Sequence, residues 1–140
     1  MTPLQKAKDL MDSGQYMPSL TILNTLNGLS SKSESYRLLF MANCWYHLEE
    51  YDWAIDIADK LLQNDEHNEL ASQIKYLSFC KLKDYDRAFD EIIEFLSNND
   101  AELYKVTLEE LLTDIKEGFI NDKEIISKIK ELALQNNCLK

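Results

Sequence analysis

Apolar residues recur along this chain with the spacing of helices. From residue 51 to residue 97 they return every three or four positions, with acidic and amide residues between them. This period places apolar side chains on one face of a helix and polar side chains on the other. Turn-forming residues are scarce, because the 140 residues include only three glycines and two prolines, and an all-β chain needs many more. The pattern predicts an all-α fold, with apolar stripes at Ala54, Ile55, Ala58, Leu61 and Leu62 and at Phe89, Ile92, Ile93 and Leu96.

The helical pattern repeats about every 34 residues, and three segments align without gaps. Each segment has a tyrosine at the same place, a large apolar residue six positions before it and a small residue three positions after it. This spacing predicts a helix–turn–helix unit in which the tyrosine packs over the turn and the small residue lets the second helix approach the first. The segments are residues 6–20, 41–55 and 75–89, with Tyr16, Tyr51 and Tyr85, preceded by Leu10, Trp45 and Phe79 and followed by Ser19, Ala54 and Ala88.

These residues and their period resemble the tetratricopeptide repeat family, and the resemblance covers roughly residues 2–97. The second unit matches best, whereas Tyr76 in the third stands where the family prefers glycine or alanine, which suggests a shifted helix pairing there. The resemblance implies an all-α, right-handed superhelix of antiparallel helix pairs, formed by residues 1–140 as a single domain. The expected parts are repeats at about 2–31, 35–67 and 69–98 and a C-terminal helical capping pair at about 101–137.

The C-terminal region continues the helical pattern with less of the repeat signature. Residues 103–119 place apolar side chains on one stripe, and residues 121–134 open with Asn121 three positions before Glu124, which resembles a capping box. Phe119 lies one repeat length after Tyr85. However, Asp122 stands at the position of the small residue and Thr113 at that of the large apolar residue. We predict either a degenerate fourth repeat or a helical pair that covers the open end of the repeats. Its first stripe is formed by Leu108, Leu111, Leu112, Ile115 and Phe119.

Negative charge is concentrated in the middle of the chain. The formal net charge is −10, and residues 49–100 contribute −9 of it. A surface this acidic repels phosphate, which argues against nucleic acid and against an anionic membrane as partners. No targeting segment or membrane span is visible, and three widely spaced cysteines suit reduced thiols. We expect an intracellular protein of the cytoplasm or nucleus.

Residues that could perform catalysis or bind a metal are sparse. Cys44 and His47 stand three positions apart on one predicted helix, but a zinc site needs three or four ligands and no second pair has plausible spacing. We interpret them as a buried thiol and a surface imidazole. No glycine-rich phosphate loop and no pairing of a nucleophile with a base can be assembled. The sequence therefore predicts a non-catalytic protein without a cofactor or a metal.

The family resemblance places a binding groove on the first helix of each pair. Tetratricopeptide domains hold partners in this concave groove, and the positions that map to it here are mainly apolar and aromatic. Such a lining suits an apolar peptide or the side of a helix. The alternative is that these side chains pack against the C-terminal helices of the same chain. The expected partner-binding residues are Lys8, Met11, Tyr36, Leu39, Asn43, Tyr46, His47, Gln73, Leu77 and Lys81.

The two tryptophans of the chain lie eight positions apart in different settings. Trp45 takes the large apolar position of a first helix, and we predict that it is buried. Trp53 follows acidic residues and precedes Ala54, at a position that the family fills with a polar, solvent-facing residue. Because tryptophan is enriched in interfaces, we hypothesise that Trp53 contributes to a self-association or partner surface.

The resemblance implies an interaction scaffold with a protein or peptide partner, either a homodimer or a subunit of a complex. Residues 42–54 and 75–88 are similar to the N-terminal segments of tetratricopeptide scaffold subunits of the anaphase-promoting complex, a cell-cycle assembly, which homodimerise through their first repeats. A short acidic chain of three repeats is also similar to bacterial type III secretion chaperones, which hold an extended translocator segment. A third alternative is an acidic adaptor or immunity protein whose surface at residues 49–100 covers a basic partner.

Overall fold

The computed structural model describes residues 1–138, which form eight α-helices and no β-strand. The predicted all-α fold is confirmed. None of the helices described within this range is long and apolar enough to cross a membrane. In chain order the helices are α1 (Pro3–Asp12), α2 (Tyr16–Thr25), α3 (Ser31–His47), α4 (Tyr51–Asn64), α5 (Glu69–Lys81), α6 (Tyr85–Asn98), α7 (Tyr104–Lys116) and α8 (Lys123–Gln135).

The turns that join the helices into pairs share one backbone geometry. Just after each first helix, one residue takes a positive φ, and the N–H of the following residue bonds to a carbonyl of the last helical turn at 2.8 to 2.9 Å. These bonds satisfy carbonyls that a helix end leaves unpaired. Glycine adopts a positive φ without strain, yet two turns use other residues. The positive-φ residues are Gly14, Glu49, Lys83 and Gly118, so the C-terminal pair shares the turn of the three repeats.

Side-chain caps set the starts of several helices. Thr2 and Gln5 form a reciprocal capping box at α1, and Asn68 and Asp84 cap α5 and α6. The helix α3 begins at Ser31, earlier than the start expected for the second repeat, because the Ser30 hydroxyl accepts the N–H of Ser33 at 3.2 Å. Its first turn therefore lies between the segments assigned to the first and second repeats and overlaps the first only at Ser31.

Small residues hold the two helices of each pair close together. Ser19, Ala54 and Ala88 on the second helices are fully buried, as are Ala7 and Ala42 on the first helices. In the first pair the Ser19 hydroxyl donates to the Ala7 carbonyl at 2.7 Å. A larger side chain at these positions would separate the backbones, because the interior is close-packed.

The packing between pairs changes at the C-terminal end. Helix α1 packs on α3 and α3 packs on α5, whereas the last pair approaches the third most closely through α8 on α6. Tyr76 is buried at the position that Ala7 and Ala42 hold in the earlier pairs, and its ring lies edge to face with that of Tyr104, with centroids 6.1 Å apart. Because a phenol ring takes more room than a methyl group, the backbone of α7 stays further from α5. The two helices of the third pair, α5 and α6, stay in close contact, so the change lies between this pair and the next.

Polar bonds attach the start of α7 to α5. The Glu69 carboxylate accepts the backbone N–H groups of residues 102–104 at 2.9 to 3.0 Å. It thereby caps a helix of the next pair. The Tyr104 hydroxyl lies 2.8 Å from Ser72 Oγ, which donates to the Glu91 carboxylate at 2.7 Å. One face of α5 therefore fixes the N-terminus of α7.

Two expectations for the C-terminal pair are wrong. Phe119 does not lie on the apolar stripe of α7, because Gly118 turns the chain at φ +83° and leaves 74% of the Phe119 surface exposed. The cap of α8 is Asp122 rather than Asn121, and its carboxylate accepts two N–H groups of the first turn of α8 at 3.0 and 3.1 Å. When an apolar residue follows a turn, the hydrophobic spacing continues through that turn. The spacing alone therefore does not mark where a helix ends.

Candidate partner-binding groove

A groove of about 430 Å³ runs across the first helices of the first three pairs. Its walls come from the C-terminal end of α1 and from the exposed faces of α3 and α5. No residue of α7 or α8 lines it, so within residues 1–138 the C-terminal helices do not fill it. The lining residues are Met11, Leu39, Phe40, Asn43, Tyr46, His47, Leu70, Gln73, Ile74 and Leu77.

Most of the predicted partner-binding residues meet in this groove. They come from three helices that the repeat places side by side, which is why positions one repeat apart lie on one surface. Leu70, at a repeat position that also maps to the groove, lines it too. The remaining two lining residues, Phe40 and Ile74, were not among those predicted. They stand 34 positions apart, so their common repeat position was the available signal. The predicted residues that line the groove are Met11, Leu39, Asn43, Tyr46, His47, Gln73 and Leu77.

Three predicted residues lie outside the groove walls. Lys8 is exposed and pairs with Asp12 at 2.7 Å on its own helix. Tyr36 lies near the start of α3, where its ring stacks on that of Phe40 with centroids 5.9 Å apart. Lys81 is the exposed last residue of α5. These side chains can reach a partner only beyond the ends or the rim of the groove.

Two amide side chains stand among the apolar walls. Asn43 on α3 and Gln73 on α5 are both partly buried. Across the part of the chain that the structure describes, neither amide makes a hydrogen bond to another protein group. Each carries a donor and an acceptor, so the groove offers a partner two places for polar pairing.

Aromatic rings follow one another along the end of the groove. The Tyr16 ring stacks on His47 with centroids 4.9 Å apart and planes 5° apart, and His47 meets the edge of Tyr46 at 5.4 Å. Tyr46 in turn contacts Tyr51 at 5.6 Å. Burial raises the pKa of Tyr46, although the Lys81 charge acts in the opposite direction. The first repeat tyrosine therefore packs on the next pair and helps to position Tyr46 and His47 at the groove.

Trp45 and Trp53 lie against each other. Their rings are stacked, with centroids 5.8 Å apart and an interplanar angle of 27°. Trp45 packs on the core of the first pairs and is partly buried, less than the prediction of a buried side chain implied. Trp53 covers its outer side and keeps 57% of its own surface exposed. The second tryptophan is thus a partial cover for the first, and it still presents a large apolar ring to solvent.

A polar cluster that no local motif signals connects α4, α5 and α6. The Lys75 ammonium lies 2.5 Å from an Asp59 oxygen and 2.7 Å from a Glu91 oxygen. Burial acts to lower the pKa of Lys75, but hydrogen bonds to the two carboxylates outweigh it and raise the pKa above its usual 10.5. Every charge in the cluster has a partner, so we interpret it as a link between helix pairs.

The described residues contain no group of three or more His, Cys, Asp or Glu side chains that could hold a metal ion. Cys44 is fully buried, and burial raises the pKa of its thiol, whereas His47 is exposed. This matches the interpretation of the pair as a buried thiol and a surface imidazole. No family model, curated protein or solved structure matches this chain. Its function therefore has to be inferred from its own surfaces.

Proposed function

We propose that this chain is a non-catalytic protein–protein interaction scaffold of the tetratricopeptide type, with its helix pairs stacked as a right-handed superhelix. Two observations support the family. The same left-handed turn closes every pair, and small buried residues at repeat spacing bring the helices of the three repeats together. Proteins built from such repeats present extended surfaces along equivalent helices, which suits binding rather than catalysis.

The groove suits an extended apolar peptide segment of another protein. Neighbouring helix axes lie about 8–10 Å apart, so three helices span about 20 Å, the length of about six extended residues. An extended peptide presents unpaired N–H and C=O groups, which Asn43 and Gln73 can bond. A bound helix already pairs its own backbone N–H and C=O groups. It would therefore leave the side-chain amides of Asn43 and Gln73 without hydrogen-bond partners in an apolar site. The two unpaired amides within apolar walls are the observation that carries this proposal.

A charge placed inside the groove is expected to abolish peptide binding. Peptides are first selected from a random phage-displayed library against the unmodified chain, and their affinity is then measured by fluorescence anisotropy. Leu77→Glu should weaken a selected peptide at least tenfold, because apolar side chains would have to desolvate the new carboxylate. Asn43→Ala should weaken it about fivefold, the effect of one lost hydrogen bond of about 1 kcal/mol.

Val106→Glu provides the matched control. Val106 is 61% exposed on α7 and lies outside the groove, so the same charge is added without touching the peptide. Its affinity should stay within twofold of the unmodified chain, and circular dichroism should show the same helix content in all variants. Equal binding to the unmodified chain and to Leu77→Glu would show that the peptide binds elsewhere.

A second proposal is that the exposed Trp53 ring forms a self-association surface. The observation that favours it is the large exposed fraction of a ring already held in place by Trp45, since a preordered aromatic side chain loses little entropy on binding. Trp53→Ala should therefore weaken a homodimer at least tenfold. Light scattering across a range of concentrations measures this change, and Trp53→Phe keeps a ring over Trp45 as the control. A monomeric mass for the unmodified chain at every concentration contradicts the proposal.

The protein classes resembled by the sequence use different surfaces. Self-association through the first pairs favours a scaffold subunit such as those of the anaphase-promoting complex. An extended segment in the groove favours a secretion chaperone. Affinity purification from the source organism followed by mass spectrometry distinguishes them: other subunits of such a complex support the first class, and a translocator protein supports the second.

A further inference from the structure

A second surface lies on the opposite set of helices, along the contact between α6 and α8. Three adjoining clefts of about 560, 560 and 360 Å³ follow this contact. The first two share Asp86, Asp122 and Ile125, and the second and third share Ile93 and Lys128, so they form one continuous trough. Its length, from residue 86 to residue 97 of α6, is about 17 Å at the rise of a helix.

The floor of the trough is apolar. Phe89 and Ile93 from α6 and Ile125 from α8 line it and are only partly buried against the C-terminal core. Two aromatic rings stand at one end with large exposed fractions, 52% for Tyr85 and 74% for Phe119. These rings lie beside partly exposed aliphatic side chains, so together they present a contiguous apolar strip rather than scattered exposed residues.

The rim of the trough is acidic. Asp86, Asp90 and Glu94 follow one another at four-residue spacing along α6, and within residues 1–138 none of the three makes an ion pair. Among the trough-lining residues of α8 the cation is Lys128, which already pairs with Glu124 at 3.3 Å. Carboxylates four apart on a helix repel each other, so their spacing is unfavourable without a positive counterpart.

The repeat shows where this acidic rim differs from the equivalent line of residues on α4. The positions of Asp86, Asp90 and Glu94 correspond, one repeat earlier on α4, to Asp52, Asp56 and Lys60. The third position of this line is Lys60 on α4, whereas it is Glu94 beside the trough on α6. The charge pattern therefore differs where a trough is present.

We propose that this trough binds a basic amphipathic helix of a partner protein, with apolar side chains on the floor and lysine or arginine side chains at the rim. The length of the trough fits about three helical turns. A bound helix pairs its own backbone N–H and C=O groups, so it suits an apolar floor that offers them no partners. The trough and the peptide groove share no residue, so this inference goes beyond the function proposed above and does not depend on it.

The test uses two synthetic fluorescein-labelled peptides of identical leucine and lysine content. One places its leucines at helical three- and four-residue spacing, and the other is scrambled. The unmodified chain should bind the amphipathic peptide at least tenfold more tightly than the scrambled one, and rising salt should weaken both. The double variant D86N/D90N should weaken the amphipathic peptide at least fivefold, and Phe119→Ser should weaken it as well.

The double variant D52N/D56N is the control, because it removes the same charges from the same helix positions on α4. It should change the affinity less than twofold. Equal weakening by the two double variants, or equal binding of the scrambled peptide, would reduce the interaction to general charge attraction and overturn the proposal. Leu77→Glu in the groove should leave this binding unchanged, so failure of the groove and failure of the trough are separate results.

Discussion

Tyr104→Ala is expected to lower the free energy of unfolding by about 3–5 kcal/mol, the usual cost of removing a large buried ring. Tyr104 is fully buried where α7 meets the third pair, and its ring contacts those of Tyr76 and Phe95 with centroids 6.1 and 5.8 Å apart. The variant would leave a cavity between pairs and leave Ser72 without its partner hydroxyl. Chemical denaturation followed by circular dichroism measures the loss.

The loss should be confined to one end of the molecule. In stacked repeats each pair touches only its neighbours, so the C-terminal pair can open while the first two pairs stay folded. Hydrogen exchange in Tyr104→Ala should therefore accelerate in α7 and α8 and stay unchanged in α1 to α3. Tyr104→Phe, which removes only the hydroxyl, should cost about 1 kcal/mol. A uniform acceleration across all helices would contradict a local role for Tyr104.

Lys75→Met is expected to lower the free energy of unfolding by about 3 kcal/mol. Lys75 lies between Asp59 and Glu91, and only 11% of the Glu91 side chain is exposed, so removing the ammonium leaves a buried carboxylate without its counter-ion. Adding Glu91→Gln to Lys75→Met should recover at least about 1 kcal/mol, because the amide is neutral and still accepts the Ser72 hydroxyl. A double variant no more stable than Lys75→Met would show that the unpaired charge is not the cause.

The contribution of Lys75 should disappear at alkaline pH. Its pKa is raised above 10.5 in the folded state, so its charge contributes stability fully below 10.5 and loses this effect as the pH rises through the folded pKa. The difference in unfolding free energy between the unmodified chain and Lys75→Met should be constant at neutral pH and shrink above 10.5. Burial also raises the pKa of Tyr76 and Tyr104, which destabilises the unmodified chain and Lys75→Met alike at alkaline pH. The difference between their unfolding free energies therefore still measures the contribution of Lys75.

The two proposed binding surfaces call for partners of different chemistry. The groove on α1, α3 and α5 is apolar with two amides, and the trough on α6 and α8 is apolar with an acidic rim. Under the two proposals, an extended apolar segment and a basic helix would bind at separate places, since the surfaces share no residue. A scaffold or adaptor that joins two proteins needs this separation.

Local patterns along the chain are enough to predict the helices and several of the residues that line the groove. Helical spacing predicted an all-α chain, and the repeat placed Leu39 and Gln73 on one surface, because residues at the same repeat position face the same way in stacked helix pairs. The burial of Ser19 and Ala88 followed from the same register. These properties depend on local periodicity, which a single sequence carries in full.

The contacts between distant parts of the chain could not be predicted from its sequence. Trp53 covers Trp45, Glu69 caps the helix that begins at Tyr104, and Lys75 joins three helices, and none of these pairs has a spacing that signals contact. The trough arises because α8 rather than α7 approaches the third pair most closely. Relative placement of helices depends on side-chain volume and on bonds between residues far apart in sequence, so a period along the chain cannot specify it.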